Sequence, residues 1–311
     1  MMNCETYHVA PATTAAIAPD FGCNLFSWTV DGQQLLYFPE AFSEDKDPFF
    51  IGGNPILFPS VGRTWDRTAD RPVANRYRIH GYSDTFEMLT HGLGLLGRWT
   101  KQKEDVSGQF VHVLYELSIP KNVRARQYPF EVRLSVGYRI SPKTIQMDVT
   151  IHNCGRGPAP FAFGFHPYFR IARKQDVTIH LPCTRRVVLD PELLIPVGEE
   201  PLTNPIFPLE ENRRYNDVFT DVCGPYAAIT DTKRGSEIKI HVDNMIEAFV
   251  VSTKPGTSYI CVEPWTKGLG MYETLAEAGW EHAGHLNVVM PGQERGISVA
   301  YSFDQNIKSK Q

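Results

Sequence analysis

The chain has 311 residues, 42% hydrophobic and 21% charged, the balance of an ordinary globular protein rather than a disordered or fibrous one. Lys and Arg total 31 against 35 for Asp and Glu, a formal net charge of −4 with no basic block, which speaks against a nucleic-acid partner. That length holds one large all-β unit or two ordinary domains.

The N-terminal run MMNCETYHVAPATTAA lacks the basic start and apolar stretch of a secretory signal, and no long apolar segment follows. No membrane partner is therefore expected. Cys4, Cys23, Cys154, Cys183, Cys223 and Cys261 are scattered without close spacing, which argues against a disulfide framework or a zinc ribbon and for reduced thiols in the cytoplasm.

Taken in order, the first constrained stretch is Ile51-Gly52-Gly53-Asn54-Pro55-Ile56-Leu57-Phe58-Pro59, followed by Gly62-Arg63. Its glycines and prolines predict a long ordered loop over a sheet, with Arg63 either a donor to hydroxyls and anions or a solvated loop charge. Arginines 63, 67, 71, 76 and 78 are interleaved with Asp66 and Asp70 and read as a surface or ligand rim. In Arg78-Ile79-His80-Gly81-Tyr82, a histidine before glycine permits close approach of a ligand, although a lone loop histidine is often simply exposed.

Gly92-Leu93-Gly94-Leu95-Leu96-Gly97 matches the dinucleotide fingerprint G-x-G-x-x-G, but Arg98-Trp99-Thr100-Lys101-Gln102-Lys103 follows it without the apolar stripe of a helix. It is read as a flexible glycine loop, and nucleotide binding is rejected.

From there period-two patterns dominate. Val111–Ile119 keeps its odd positions apolar; Glu131–Ile140 and Ile145–His152 alternate on either side of Ser141-Pro142-Lys143 and predict an antiparallel hairpin. Further strands are expected at Val177–Leu181, Arg185–Leu189, Tyr226–Thr230, Glu237–Val242, Glu247–Thr253, Tyr259–Glu263 and Gly296–Phe303, with a loop over 191–208. Short strands broken by Pro, Gly and Asn predict an all-β antiparallel sandwich with few short helices. The one helix candidate is Tyr272–Ala278, confined by Gly270 and Gly279. No repeat, linker or composition break appears, so residues 1–311 are read as one domain.

Three stretches carry candidate chemistry. In Phe161-Ala162-Phe163-Gly164-Phe165-His166-Pro167-Tyr168-Phe169 the three Phe residues share one strand face, and the other face holds Ala162, Gly164 and then His166. A strand so cleared of bulk presents its histidine to a ligand, or else to a neighbour that satisfies it. In Tyr259-Ile260-Cys261-Val262-Glu263-Pro264-Trp265-Thr266 a carboxylate closes an apolar strand, so Glu263 is either a general base with a raised pKa or the partner of an arginine. Trp265 beside it can stack on the apolar face of a sugar. Asp217, in Tyr215-Asn216-Asp217-Val218-Phe219, is the weakest candidate, since Asn-Asp is common turn chemistry. His282 and His285 form the one H-x-x-H, read as structural, and no metal site is expected.

These pieces, GGNPILFPSVGR, the His-Gly of RIHGY, YPFEVRLSVGYRI, PFAFGFHPYF, LDPELLIPVGE, NDVF, YICVEPWT and VVMPGQE, come in order over about residues 22 to 303. Together they resemble the aldose 1-epimerases (galactose mutarotases) and the related hexose-6-phosphate 1-epimerases. The resemblance implies a large antiparallel β-sandwich with a concave sugar-binding face and a free-standing reaction that moves only protons, with no metal or redox cofactor. It implies that Glu263 takes the proton of the anomeric hydroxyl, that His166 protonates the ring oxygen, that His80 assists, and that Arg63 and Asp217 bind substrate.

Many relatives continue the His-Gly with Phe-Ala-Arg, whereas this chain reads Tyr82-Ser83-Asp84, which would repel a phosphate and tilts the substrate toward a free aldose. Arg67, Arg71 or Arg76 could take over the phosphate role, which keeps a hexose-6-phosphate 1-epimerase as the alternative. An idle carbohydrate-binding protein on the same scaffold is a third reading. The sequence leaves monomer and homodimer equally open.

Overall fold

The computed structural model describes residues 4–39, 52–67, 71–79, 82–266 and 287–305. The helix expected at Tyr272–Ala278 and the His282/His285 pair lie outside these residues.

The alternating segments are strands. Val132–Ser141 and Thr144–Asn153 pair antiparallel, with Val136 opposite Val149 and Ile140 opposite Ile145. Their apolar positions are buried, and Lys143 at φ +62° closes the turn between them. This hairpin lies within a nine-stranded antiparallel sheet. Its order is Thr100–Val106, Val111–Ser118, Val132–Ser141, Thr144–Asn153, Glu294–Gln305, Ser236–Val242, Tyr226–Asp231, Val177–His180 and Ile206–Pro208.

A second sheet of eight strands runs Pro196–Pro201, Cys183–Leu189, Tyr215–Val222, Ala248–Thr253, Tyr259–Trp265, Gly164–Phe165 and Ile56–Leu57, with Tyr168–Arg170 also paired to Tyr259–Trp265. The two sheets meet in one core. Phe169 of the second sheet packs edge-to-face on Tyr301 of the first, ring centroids 5.2 Å apart. Glu5–Val9, Thr13–Ala18, Asn24–Val30 and Gln33–Gln34 form a separate four-stranded sheet, which period-two reading missed.

The loop expected over 191–208 contains two strands instead, Pro196–Pro201 and Ile206–Pro208. Each is the last strand of its sheet, where one row of backbone groups faces solvent and proline is tolerated. Thr100–Val106, exposed along its whole length and rich in charge, closes the opposite edge. A short helix, Lys121–Arg126, was not foreseen.

The loop after Gly52 is locked to the core by Asn54, which is fully buried. Its amide N–H donates to Asn24 Oδ1 (2.7 Å), its side-chain NH2 to Met147 Sδ (3.2 Å), and its Oδ1 accepts from the Tyr301 hydroxyl (3.1 Å). Asn54→Ala is expected to cost roughly 1–3 kcal/mol in urea unfolding by leaving the Tyr301 hydroxyl without its acceptor. An unfolding midpoint equal to wild type would contradict this account of the loop.

Candidate active site

Strand alternation builds the floor of the site. Gly164 pairs with Trp265 on one side and Leu57 on the other. A Cβ at Gly164 would lie 2.5 Å from Trp265 Cδ1, so glycine is what lets the indole lie across this strand. Phe163 and Phe165 point into the core, and Gly164, His166 and Tyr168 point the other way.

Register places three rows on that second face. Asn216, Ser252, Cys261 and Tyr168 stand opposite one another in the first; Val218, Val250 and Glu263 in the second; Thr220, Ala248, Trp265 and Gly164 in the third.

His166 is fixed from several sides. Its backbone N–H donates to Pro55 O (3.0 Å), its ring stacks on Tyr168 (4.7 Å, 11°), and it meets the His91 ring edge-to-face at 5.4 Å. Its Nε2 lies 3.3 Å from Glu263 Oε1. Glu263 is 1% exposed and, among the described residues, has no lysine or arginine partner.

Burial pushes the Glu263 carboxyl well above the usual carboxylate range; the Trp265 indole N–H, leaning toward it, pulls weakly the other way. Burial, and next the neighbouring His91, hold His166 well below the usual imidazole value. The pair therefore favours zero net charge, one proton shared between carboxyl and imidazole, and titrates as a unit. Among the described residues, Glu263 Oε2, His166 Nδ1 and Trp265 Nε1 are buried without a hydrogen-bond partner.

His91 is the second histidine here, and sequence reading missed it. The Gly62 N–H donates to His91 Nδ1 (3.1 Å), so the neutral ring carries its proton on Nε2. Burial lowers its pKa to about 4. Its position depends on the glycine run read as a flexible loop. Gly92 has φ +79°, a Cβ there would lie 2.3 Å from Phe58 O, and Leu93 and Gly94 both donate to that carbonyl. The run is a clamped turn, with Gly94–Leu96 a single 3-10 turn that leads to an edge strand and offers no helix for a nucleotide. His-Gly occurs twice, at 80–81 and 91–92, and this repetition was the available signal.

His80 itself lies outside the described residues. Arg63 follows Gly62 directly, is exposed, and sits over the Trp65 ring at 5.7 Å, at the rim of the His91 loop. Trp265 is nearly buried, a wall against Gly164 and His91 rather than an open stacking platform. Asp217 is not brought to the site. It pairs with Val251 on the opposite face and is held by Arg186 (2.5 Å) and Arg213 (3.3 Å). The period of two turns the exposed Asn216 toward Glu263's face instead, so Asn216 and Ser252 supply the polar groups of that row.

A family model described as Aldose 1-epimerase matches residues 6–301. The chain belongs to the aldose 1-epimerase family. Solved structures agree on the fold. The Slr1438 protein of Synechocystis sp. PCC 6803 superposes with a TM-score of 0.79 at 23% identity, covering 97% of this chain and 96% of that one. A galactose mutarotase related enzyme from Lactobacillus acidophilus gives 0.77 at 16%, covering 97% and 98%. A galactose mutarotase-like protein from Clostridium acetobutylicum gives 0.77 at 17%, covering 98% and 99%. Family membership implies an isomerase acting on carbohydrates, and the large antiparallel sheets are those of the galactose mutarotase-like fold.

Two measurements check this construction. Gly164→Val forces a side chain into the Trp265 indole and is expected to lower stability by roughly 1–3 kcal/mol; an unchanged denaturation midpoint would refute the close approach. For His91, the folded pKa of about 4 lies below an unfolded value of about 6.5. The unfolded chain therefore takes up the proton first, and stability contributed by the neutral ring is lost as pH falls from about 6.5 to 4. Unfolding free energies of wild type and His91→Gln should converge over that window, by on the order of 3 kcal/mol. Parallel pH curves would contradict a buried neutral His91.

Proposed function

We propose that the protein interconverts the α and β anomers of a free hexose by acid/base ring opening and reclosure. The observation that carries this reading is the 3.3 Å contact of His166 Nε2 with Glu263 Oε1, buried beside His91, with Glu263 Oε2 and His166 Nδ1 left without a partner.

The shared proton has two placements of equal net charge, carboxylic acid with imidazole or carboxylate with imidazolium. The second form is the reactive one. Glu263 as carboxylate takes the proton of the anomeric hydroxyl, while His166 as imidazolium delivers its proton to the ring oxygen and the C1–O5 bond breaks. Rotation about C1–C2 presents the other carbonyl face, and the same two groups act in reverse to close the ring.

A sugar lying between the two groups replaces their direct contact with hydrogen bonds to its own oxygens, which offsets the desolvation of the charged form. His91, held neutral, donates its Nε2–H to a sugar oxygen without itself titrating. Asn216 and Ser252 take hydroxyls further along the ring, and Arg63 closes the rim. The proton bookkeeping closes within the protein and the substrate. Six free cysteines, three of them exposed, support a cytoplasmic location.

The test is NMR anomer exchange with glucose, galactose and glucose 6-phosphate in parallel. Acceleration for a free hexose is expected; acceleration for the phosphate alone would replace the substrate, and none for any of the three would point to a binding protein. Glu263→Gln keeps shape and sugar binding and should lose most turnover, and His166→Ala should lose about 10²-fold or more. Wild-type rates in Glu263→Gln would sink the assignment of the base.

A further inference from the structure

We propose that Cys261, His166 and Glu263 form a binding site for one zinc or cadmium ion, and that the ion shuts the enzyme off. Cys261 and Glu263 are two apart on one strand and so share a face, and His166 reaches across from the neighbouring segment. One ligand atom from each residue, an imidazole nitrogen, the thiol sulfur and a carboxylate oxygen, can be chosen so that all lie within 4.8 Å of one another.

Bond lengths of about 2.0–2.3 Å put tetrahedral ligands roughly 3.3–3.8 Å apart, so His166 and Glu263 already stand at ligand spacing and the widest separation closes by about an ångström. A second observation points the same way. Glu263 Oε2 and His166 Nδ1 are buried with no partner, so an ion that takes either atom displaces no hydrogen bond from it, and the one contact given up is that between His166 Nε2 and Glu263 Oε1.

The donor set selects the ion. Thiolate with imidazole suits zinc and cadmium and disfavours magnesium and calcium, and three protein ligands leave one position for water. On binding, the thiol proton and the proton shared by Glu263 and His166 both pass to solvent, and the sulfur coordinates as thiolate. Binding rests on the geometry of the three side chains alone. Inhibition rests in addition on the proposed acid/base reading, because the ion occupies the carboxylate and the imidazole that would move the protons.

The experiment uses the full chain with the exposed Cys4, Cys154 and Cys223 changed to serine, titrated with cadmium alone. Thiolate-to-cadmium charge transfer in the ultraviolet reports sulfur ligation directly, whatever the enzyme's substrate. A saturable band at one ion per chain is expected, with Cys261→Ala and the near-isosteric Cys261→Ser each removing it and weakening binding about 10- to 100-fold. An undiminished band in both variants would overturn the site. Zinc should also slow anomer exchange in the background chain, at concentrations at least tenfold lower than in Cys261→Ser. Ligation by Cys261 with exchange unimpaired would overturn the inhibitory half and count against Glu263 and His166 as the acid/base pair.

Discussion

Glu263 is 1% exposed and meets a histidine where a buried carboxylate ordinarily meets an arginine or lysine. Burial raises the carboxyl and lowers the imidazole, so at neutral pH the carboxyl does not hold its usual charge and one proton serves both groups. An arginine partner would instead hold the carboxylate permanently charged. The rest of the second sheet can be understood as what is needed to hold this uncharged pair in place: Tyr168 stacked under the imidazole, Pro55 on its backbone, Trp265 beside the carboxyl, and His91 kept neutral by burial.

That arrangement depends on backbones coming closer than side chains would allow. Gly164 admits the Trp265 ring, and Gly92 admits the Phe58 carbonyl, which ties the His91 turn to the Asn54 loop. Asn54 in turn reaches Tyr301 in the first sheet. The Glu263–His166 pair is thus joined by a few hydrogen bonds to the core between the sheets, and the loops that carry Arg63 and His91 are extensions of that core rather than independent flaps.

The alternating strands were legible because one face of each is buried and a period of two then shows directly, as in Val132–Ser141 and Thr144–Asn153. The faces of Phe161–Tyr168 and the isolation of Glu263 were legible for the same reason. Edge strands were not: Pro196–Pro201 and Thr100–Val106 bury nothing, so their composition records solvent rather than pairing. Asp217 was misplaced by a single residue, enough to reverse its face, because NDVF names residue types without a register, which only pairing with Ala248–Thr253 supplies. His91 was hidden by a glycine run whose spacing imitates another motif and whose true purpose, approach to Phe58, is a tertiary fact.

The chain belongs to a family whose members share this fold at low identity, so its substrate has to be sought in the polar groups around the pair rather than in the scaffold. The most direct measurement is histidine-selective 15N NMR of the whole protein during titration with glucose and galactose. If the sugar lies between Glu263 and His166, the ring nitrogens of His166 and His91 move with saturation while those of His8, His112 and His152 stay still. Catalysed anomer exchange with both site histidines unmoved would contradict the account, since the sugar would then be bound and turned over somewhere else.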